Sequence, residues 1–581
     1  MDQLKLNSEE QANFDRLYAE MKSAAKNMGT VSRKAINNLA ELPTREDIEE
    51  YSIGGFDPID VMPGPGYKAS TEKLLEIITD GRLRNRMGEF PNYWIDIQDK
   101  ILKEDPRGHN DSRLINFALP YIMTCEKYGM YRTSVVFVSD PEDTQRISKN
   151  HVKKMPKMTA MFMGSVISTT DNEVWKKQRN HLNEVFLPKK SLAKIFPKSL
   201  SRAKKCVDIM AELAQNSRAN GVEINDFYLH ETQAQLQLGL FGMDETFMEQ
   251  TNRELRNGFS QINPDPEAVT KITLSMMSKV ADSEGNFAVP SDPNVMNGNQ
   301  AVKGPLSKSV ADAGDALNLS ARDQFGNMLI ILFAGHDTTG HTMTWLTYEL
   351  AKHPEYQKRL HDEVDQFYKM LNGRDMTYED CEHLPFMSRC ITETLRLWNP
   401  VPQGSFRELQ FDDYVKGFGG EEVLLKKGTY IIFDQYGKHH SKLLWGDDCM
   451  EFNPDRNFRD DEIWGGESFR AFNPSSGRYH PFQYAPRDCL GKNFAHMEMR
   501  TILANIFHRF KFELSEPYKN IDPRKLMNTL STMGPRDVTP EGLKQTKINL
   551  NKKQIGGKFG SGFPVGGMWL HVHPRKLKAN L

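Results

Sequence analysis

Residues 482–491 read Phe-Gln-Tyr-Ala-Pro-Arg-Asp-Cys-Leu-Gly, and the helical pattern LGKNFAHMEMRTILANIF overlaps them at 490–507. Cys489 therefore sits just ahead of a helix N-terminus. Backbone N–H groups of a first turn, together with the helix dipole, favour the thiolate, which is the form of cysteine that binds metal. Pro486 stiffens the approach, Arg487 offers a charged fork to an anion, and Gly491 leaves room for a bulky planar group. A lone cysteine is more often a small buried hydrophobe, so the reading needs support from elsewhere in the chain.

Composition narrows the field. The chain has 581 residues, 38% of them in the AVILMFWYC set and a further 41 glycines, which together give the apolar share of an ordinary globular protein. Its 75 Lys+Arg against 77 Asp+Glu leave a net charge of -2, so no global basic field asks for nucleic acid. Six cysteines without a Cys-x-x-Cys pair or zinc spacing argue against a disulfide framework or structural zinc. With no apolar run near the length of a membrane span and no apolar leader, the expected location is intracellular, cytoplasmic or peripheral to a membrane.

Upstream of the cysteine, Ser320 and Asp323 form a capping signal, and no proline interrupts the chain before Pro354. A helix of roughly 30 residues, about 50 Å long, fits between them and must cross the whole domain. Its middle, ILFAGHDTTGHTMTW at 331–345, is apolar yet carries Gly335, Asp337, Thr338, Thr339 and Gly340, which weaken a helix or compete for its backbone. Breaks of local rules inside a core often mark function, although a kinked core helix with threonines bonded back to their own carbonyls is the plainer reading. In ITETLRLW at 391–398, Glu393 and Arg396 stand three apart on a helix, close enough to pair, and their apolar neighbours predict burial. Trp175 and Arg179 put an indole N–H and a guanidinium on one helical face, a spacing common enough to mean little by itself.

Taken together, these four segments resemble the haem-thiolate monooxygenases of the cytochrome P-450 family. The resemblance runs from about Pro63 to beyond Phe512 and rests on Phe482-x-x-x-x-Arg487-x-Cys489-x-Gly491, Ala334-Gly335-x-Asp337-Thr338-Thr339, Glu393-x-x-Arg396 and Trp175-x-x-x-Arg179. It implies a mainly α fold with a smaller β region, and a long central helix over haem b. Cys489 would be the proximal iron ligand. Ala334 and Gly335 would line the oxygen groove, with Asp337 and Thr338 as proton relay and hydroxyl donor. Trp175, Arg179, Arg407 and Arg487 would contact the haem propionates, with Phe482 and Gly491 packing at the haem. Arg456, in Phe452-Asn453-Pro454-Asp455-Arg456, would join Glu393 and Arg396 in a structural triad. One departure stands out: the family's usual glycine, three residues after the phenylalanine, is Ala485 here, which would be strained if that position needs a positive φ.

The implied reaction inserts one oxygen atom of O2 into an apolar organic substrate. Electrons from NADPH or NADH would arrive through a separate flavoprotein reductase or ferredoxin, because no G-x-G-x-x-G unit is found on a strand–helix turn. Lys176, Lys177 and Lys492 are candidates for docking that partner, or equally an ordinary solvated face. A haem-thiolate isomerase or dehydratase, which would lack the Asp337/Thr338 pair, and a non-catalytic haem sensor are the competing functions. Met155, Met158, Met161 and Met163 fall where the family's substrate-facing segment tends to lie, and serve equally as core. His336, His341, His439 and His440 read as surface or core histidines and not as a non-haem iron site.

The organisation expected is an N-terminal arm, 1–62, with an amphipathic helix from Phe14 to Ala25, followed by one catalytic domain, 63–581. The Gly- and Pro-rich stretch ending at Pro65 marks the boundary. A strand from Tyr131 to Val138 closes in a turn at Asp140-Pro141, the stretch 284–305 is a surface loop, and residues after about 520 form an extension.

Overall fold

The computed structural model describes residue 15 and residues 42–62, 114–125, 127–217, 221–259, 266–280, 305–402, 404–417, 419–464, 475–515, 518–520, 527–528, 563–564 and 567–576. The amphipathic helix expected from Phe14 lies outside them apart from Asp15, as do the boundary at Pro63 and the loop up to residue 304.

The helices that position the site are α1 (Pro141–Asn150), α2 (Asn172–Asn183), α3 (Ala193–Asn216), α4 (Ile224–Gln235), α5 (Ala321–Lys352), α6 (Pro385–Leu397) and α7 (Lys492–Arg509). The long helix α5 has 32 residues and begins where the sequence signals it, with the Ser320 hydroxyl accepting from the Asp323 amide at 3.1 Å. It runs unbroken through Gly335 and Gly340. Those glycines serve packing: a Cβ at Gly340 would come within 3.1 Å of the Leu229 Cα, and one at Gly335 within 2.9 Å of the Leu236 methyls. Backbone therefore approaches backbone where α4 crosses α5. Tyr228 with Thr347 at 2.9 Å, and Thr232 donating to the His336 carbonyl at 2.9 Å, bolt the two together. On the other side α3 packs on α7, so the helix that starts beside Cys489 shares one apolar core with α5.

The smaller β region has a four-stranded sheet in the order β1 (Phe117–Cys125), β2 (Gly129–Val138), β4 (Tyr430–Phe433), β3 (Phe406–Glu408). Only the β2–β4 pairing is parallel, with Val135 opposite Tyr430 and Phe137 opposite Ile432. The strand expected at Tyr131–Val138 is thus the greater part of β2. Asp140-Pro141 makes no closing turn: the Asp140 carboxylate caps α1, accepting from the amides of Glu142 at 2.9 Å and Asp143 at 3.0 Å, and Pro141 takes the first position of the helix.

Parts of the expected arm and of the expected extension pack on the domain. The Arg45 amide donates to the Arg132 carbonyl at 2.8 Å, its Nη2 reaches the Gly428 carbonyl at 2.7 Å, and its guanidinium lies 3.6 Å over the Tyr430 ring. At the other end, Trp569–Pro574 pairs within a sheet. It is the middle strand of a three-stranded sheet, between Val222–Glu223 and Phe510–Leu514, with Leu570 facing Leu514. Among the described residues no helix is long and apolar enough to cross a membrane.

Candidate functional site

The loop before α7 is folded around its cysteine. The Cys489 amide donates to the Phe482 carbonyl at 2.8 Å, closing the loop, and Gly491 stands at the N-cap of α7. The residue with positive φ is Gln483, at 64°, whose side chain bridges Gln435 and the Ser405 amide. Ala485 is exposed and outside the left-handed region, so the strain expected of it does not arise.

Asp488 holds the loop from outside. Arg179 donates from Nη1 to its carbonyl at 2.7 Å and from Nη2 to its carboxylate at 2.8 Å, while Lys492 reaches the other carboxylate oxygen at 2.9 Å. Both terminal nitrogens of Arg179 are engaged by Asp488, so it helps to position the cysteine loop. Lys492 is buried and paired, which removes it from the proposed docking face, whereas Lys176 and Lys177 are exposed on α2.

Cys489 is the one exposed thiol; the other five are buried. Protein nevertheless surrounds it, and burial pushes its thiol up, opposed by Lys492, the Gly491 amide and Arg179. The thiol is thus solvent-accessible while protein lies on most sides of it. Gly491 keeps its own side clear, since a Cβ there would meet only Phe186, at 3.8 Å.

Across the same core, α5 is buried from Phe325 to Ala351 except in its middle. Phe333, Ala334, Gly335 and Thr338 are partly accessible while Leu332, His336, Asp337 and Thr339 are buried. Phe333, Ala334 and, from the cysteine loop, Phe482 edge one apolar cluster. Phe162 and Phe259 flank Phe333 with ring centroids at 5.7 and 5.5 Å. Thr338 donates to the Ala334 carbonyl at 3.1 Å, and the Asp337 carboxylate lies 3.6 Å from His341 Nδ1. The accessible hydroxyl and the buried acid are neighbours in sequence that face different ways. Of the four methionines, Met155 and Met163 are buried in core clusters, and the side chains of Met158 and Met161 lie outside the described set.

The cation expected at Arg407 is fully buried on β3. Its Nη1 donates to Ser405 Oγ at 2.6 Å and to the Phe406 carbonyl at 2.9 Å, but Nε and Nη2 have no hydrogen-bond partner. Burial alone pulls it down to about 9. Arg487 stacks 4.0 Å over the Trp175 ring and donates to the Val152 carbonyl at 2.9 Å and to Asn172 Oδ1 at 3.3 Å, again leaving Nη1 without a partner. Burial, then Arg407 and Arg179, lower it to about 8. Trp175 is thus the platform that orients Arg487. A third cation was missed by the sequence reading: Lys154, buried, donates to the same Ser405 Oγ at 2.7 Å and sits 4.6 Å over the Phe406 ring. Nothing in the spacing around Lys154 signals this, because only the fold brings its turn against β3.

Three buried cations whose hydrogen-bond partners include no carboxylate, with donors left over, are costly unless an anion completes them. Together with an accessible sulfur at a helix start, this donor set fits an iron porphyrin with two carboxylates at its edge.

The structural triad is different in kind. Glu393 and Arg396 are fully buried and pair through two bonds, Nε to Oε2 at 2.7 Å and Nη2 to Oε1 at 2.8 Å. Arg456 Nε reaches Glu393 Oε1 at 3.2 Å, and the remaining guanidinium nitrogens bond the carbonyls of His439, Cys449, Glu451, Trp445 and Asp448. His336, His341, His439 and His440 are all buried.

A family model described as Cytochrome P450 matches residues 304–537. Cytochrome P450 4F2 of Homo sapiens is 34% identical over 197 residues, which is 34% of this chain and 35% of the human protein. Cytokinin hydroxylase of Arabidopsis thaliana is 34% identical over 192 residues, 32% of this chain and 33% of its own length. Cytochrome P450 94A1 of Vicia sativa is 25% identical over 406 residues, covering 65% of this chain and 75% of the plant protein. At the higher identities the chain spans about a third of the length of the relatives it matches.

Proposed function

The chain belongs to the cytochrome P450 family, and from that premise we propose that it is a haem-thiolate monooxygenase that inserts one atom of O2 into an apolar organic substrate. The observation that carries the reading is the pairing of one accessible cysteine at a helix start with buried cations that lack a carboxylate. When bound, haem b supplies a thiolate-ligated iron that activates dioxygen and favours O–O cleavage.

This chain's residues do the rest. Cys489 provides the proximal sulfur. Its loop is held by Asp488 between Arg179 and Lys492, so the sulfur keeps its place while charge develops on it. Arg407 and Arg487 bind the carboxylate edge. Thr338 Oγ1, on the partly accessible stretch of α5, donates to the Ala334 carbonyl, and turning that hydroxyl away from the helix delivers its proton. Asp337, buried beside His341, restocks Thr338 through a relay. Phe162, Phe259 and Phe333 exclude water and favour an apolar substrate. Electrons come from NADPH or NADH through a separate flavoprotein reductase or ferredoxin.

The first test is the absorption spectrum of the reduced, carbon-monoxide-bound protein. Thiolate ligation is expected in the wild type and abolished in Cys489→Ala, with haem content measured in parallel; a spectrum indifferent to that substitution sinks the assignment. The second is substrate-dependent consumption of O2 and reduced nicotinamide with a reductase present. Product formed without O2 uptake would instead support an isomerase or dehydratase.

A further inference from the structure

The monooxygenase reading does not account for Lys154. Its Nζ shares one acceptor, Ser405 Oγ, with Arg407, at 2.7 and 2.6 Å, so two cations converge on a single hydroxyl. The other nitrogens of Arg407 and one of Arg487 are left without partners, and all three side chains are buried. The nearest carboxylate on β3, Glu408, is taken by Lys153 at 2.6 Å. Lys157 Nζ lies 5.5 Å from the centroid of the same Phe406 ring and 5.1 Å from that of Tyr121. The charges that act on Lys154 are Arg407 from β3 and Arg487 from the cysteine loop, both repulsive.

We infer that Lys154 is the third cation of the carboxylate cradle, and that docking the two haem carboxylates there draws one proton from solvent onto Lys154 Nζ. The inference rests on the haem reading above. In the haem-free protein two guanidiniums face the amine in a desolvated pocket. Burial, followed by Arg407 and Arg487, holds it well below the ordinary lysine range, and lysine gives up its proton far more readily than arginine. Two carboxylates neutralise the guanidiniums and supply acceptors, so the ammonium becomes the favoured form. At Lys154 the step makes one N–H bond with a proton from the buffer; the thiol proton that Cys489 gives up on ligation is released separately, and alike in every Lys154 variant.

The sign follows from linkage. A proton taken up on binding makes affinity fall as pH rises, by as much as about tenfold per unit, between the Lys154 pKa of the haem-free protein and that of the holoprotein. Outside that window Lys154 adds no pH dependence, and the ratio of wild-type to Lys154→Met affinity separates its contribution from that of the Cys489 thiol.

The experiment partitions haem between the holoprotein and apomyoglobin from pH 6 to 10, for the wild type, Lys154→Met and Lys154→Arg side by side. The wild type is expected to retain haem better than Lys154→Met at low pH and to converge on it at high pH. Lys154→Arg should hold haem better than Lys154→Met by a ratio that stays level with pH, whereas the wild-type ratio falls. Repeating the partition with haem dimethyl ester, whose carboxylates are capped, should erase the difference between wild type and Lys154→Met. A wild-type to Lys154→Met ratio that is constant with pH, or a difference that survives with the ester, overturns the inference. Should Lys154→Met fail to fold, the wild-type and Lys154→Arg profiles decide alone. A protein with no thiolate spectrum would sink the haem reading itself, whereas normal thiolate spectra with pH-independent partition would sink only the role of Lys154.

Discussion

Two clusters of buried arginines lie within one domain, and they differ in what surrounds the guanidiniums. Around Glu393, Arg396 and Arg456, a buried carboxylate and a ring of backbone carbonyls meet the cations, and Arg396 alone bonds Glu393 twice and three carbonyls besides. At Arg407 and Arg487, an equal degree of burial leaves nitrogens without partners and brings a third cation close. A saturated cluster is finished by folding, whereas an unsaturated one is finished by a ligand. Burial of charge therefore does not separate structure from function, but hydrogen-bond completeness does.

Arg396→Leu should break the saturated cluster hardest. It strands Glu393 in the core and is expected to destabilise the fold by about 3–5 kcal/mol in denaturant titration. A loss under about 1 kcal/mol would mean that the triad is not structural.

Glu349, near that cluster, tests it through pH. Its Oε1 accepts from Trp398 Nε1 at 2.7 Å, Oε2 has no hydrogen-bond partner, and burial raises the acid to about 7. Because the folded value lies above the unfolded one, Glu349 contributes stability in full below about pH 4.5, and that contribution is lost as pH rises toward 7. The wild type should lose on the order of 3 kcal/mol relative to Glu349→Gln across that interval, since each unit corresponds to about 1.4 kcal/mol. Parallel pH profiles for the two proteins would refute the assignment.

At the unsaturated cluster the sign of the stability effect should reverse. Arg407→Met removes a buried cation that no carboxylate compensates, so thermal unfolding of the haem-free protein should stay level or rise. Haem transfer to apomyoglobin should become about tenfold easier. A fall in stability like that of Arg396→Leu would erase the distinction between the two clusters. The smallest effect on stability, within about 0.5 kcal/mol, is expected for Thr338→Ala, which loses one hydrogen bond back to its own helix. Its readout is the share of reducing equivalents that reach product, which should drop as peroxide leaks; unchanged coupling would remove the proton-delivery role.

Much of this was legible beforehand, and the reason is local. The ends of α5 were readable because Ser320 and Pro354 act on their own turns. Glu393 and Arg396 were readable because a helix puts residues three apart side by side. What was not legible needed the fold of the chain. That Arg179 and Lys492 meet at Asp488 appears only once the cysteine loop has its place against α2. The packing of residues 42–62 and 569–574 on the domain was equally hidden, because a strand or a buried arginine declares itself only when its neighbour is known. The doubt over Ala485 dissolved once the positive φ was found at Gln483.

The sequence by itself determined the helical frame, the Glu393–Arg396 pair and the cysteine at the head of α7, since each depends on spacing along one helix, whereas Arg456, which lies in a loop, was implied only by the family resemblance. Only the tertiary structure decided which cations remain without partners. That property belongs to no residue alone: it appears when the turn bearing Lys154, the strand bearing Arg407 and the loop bearing Arg487 are desolvated together with no carboxylate among them to receive their protons.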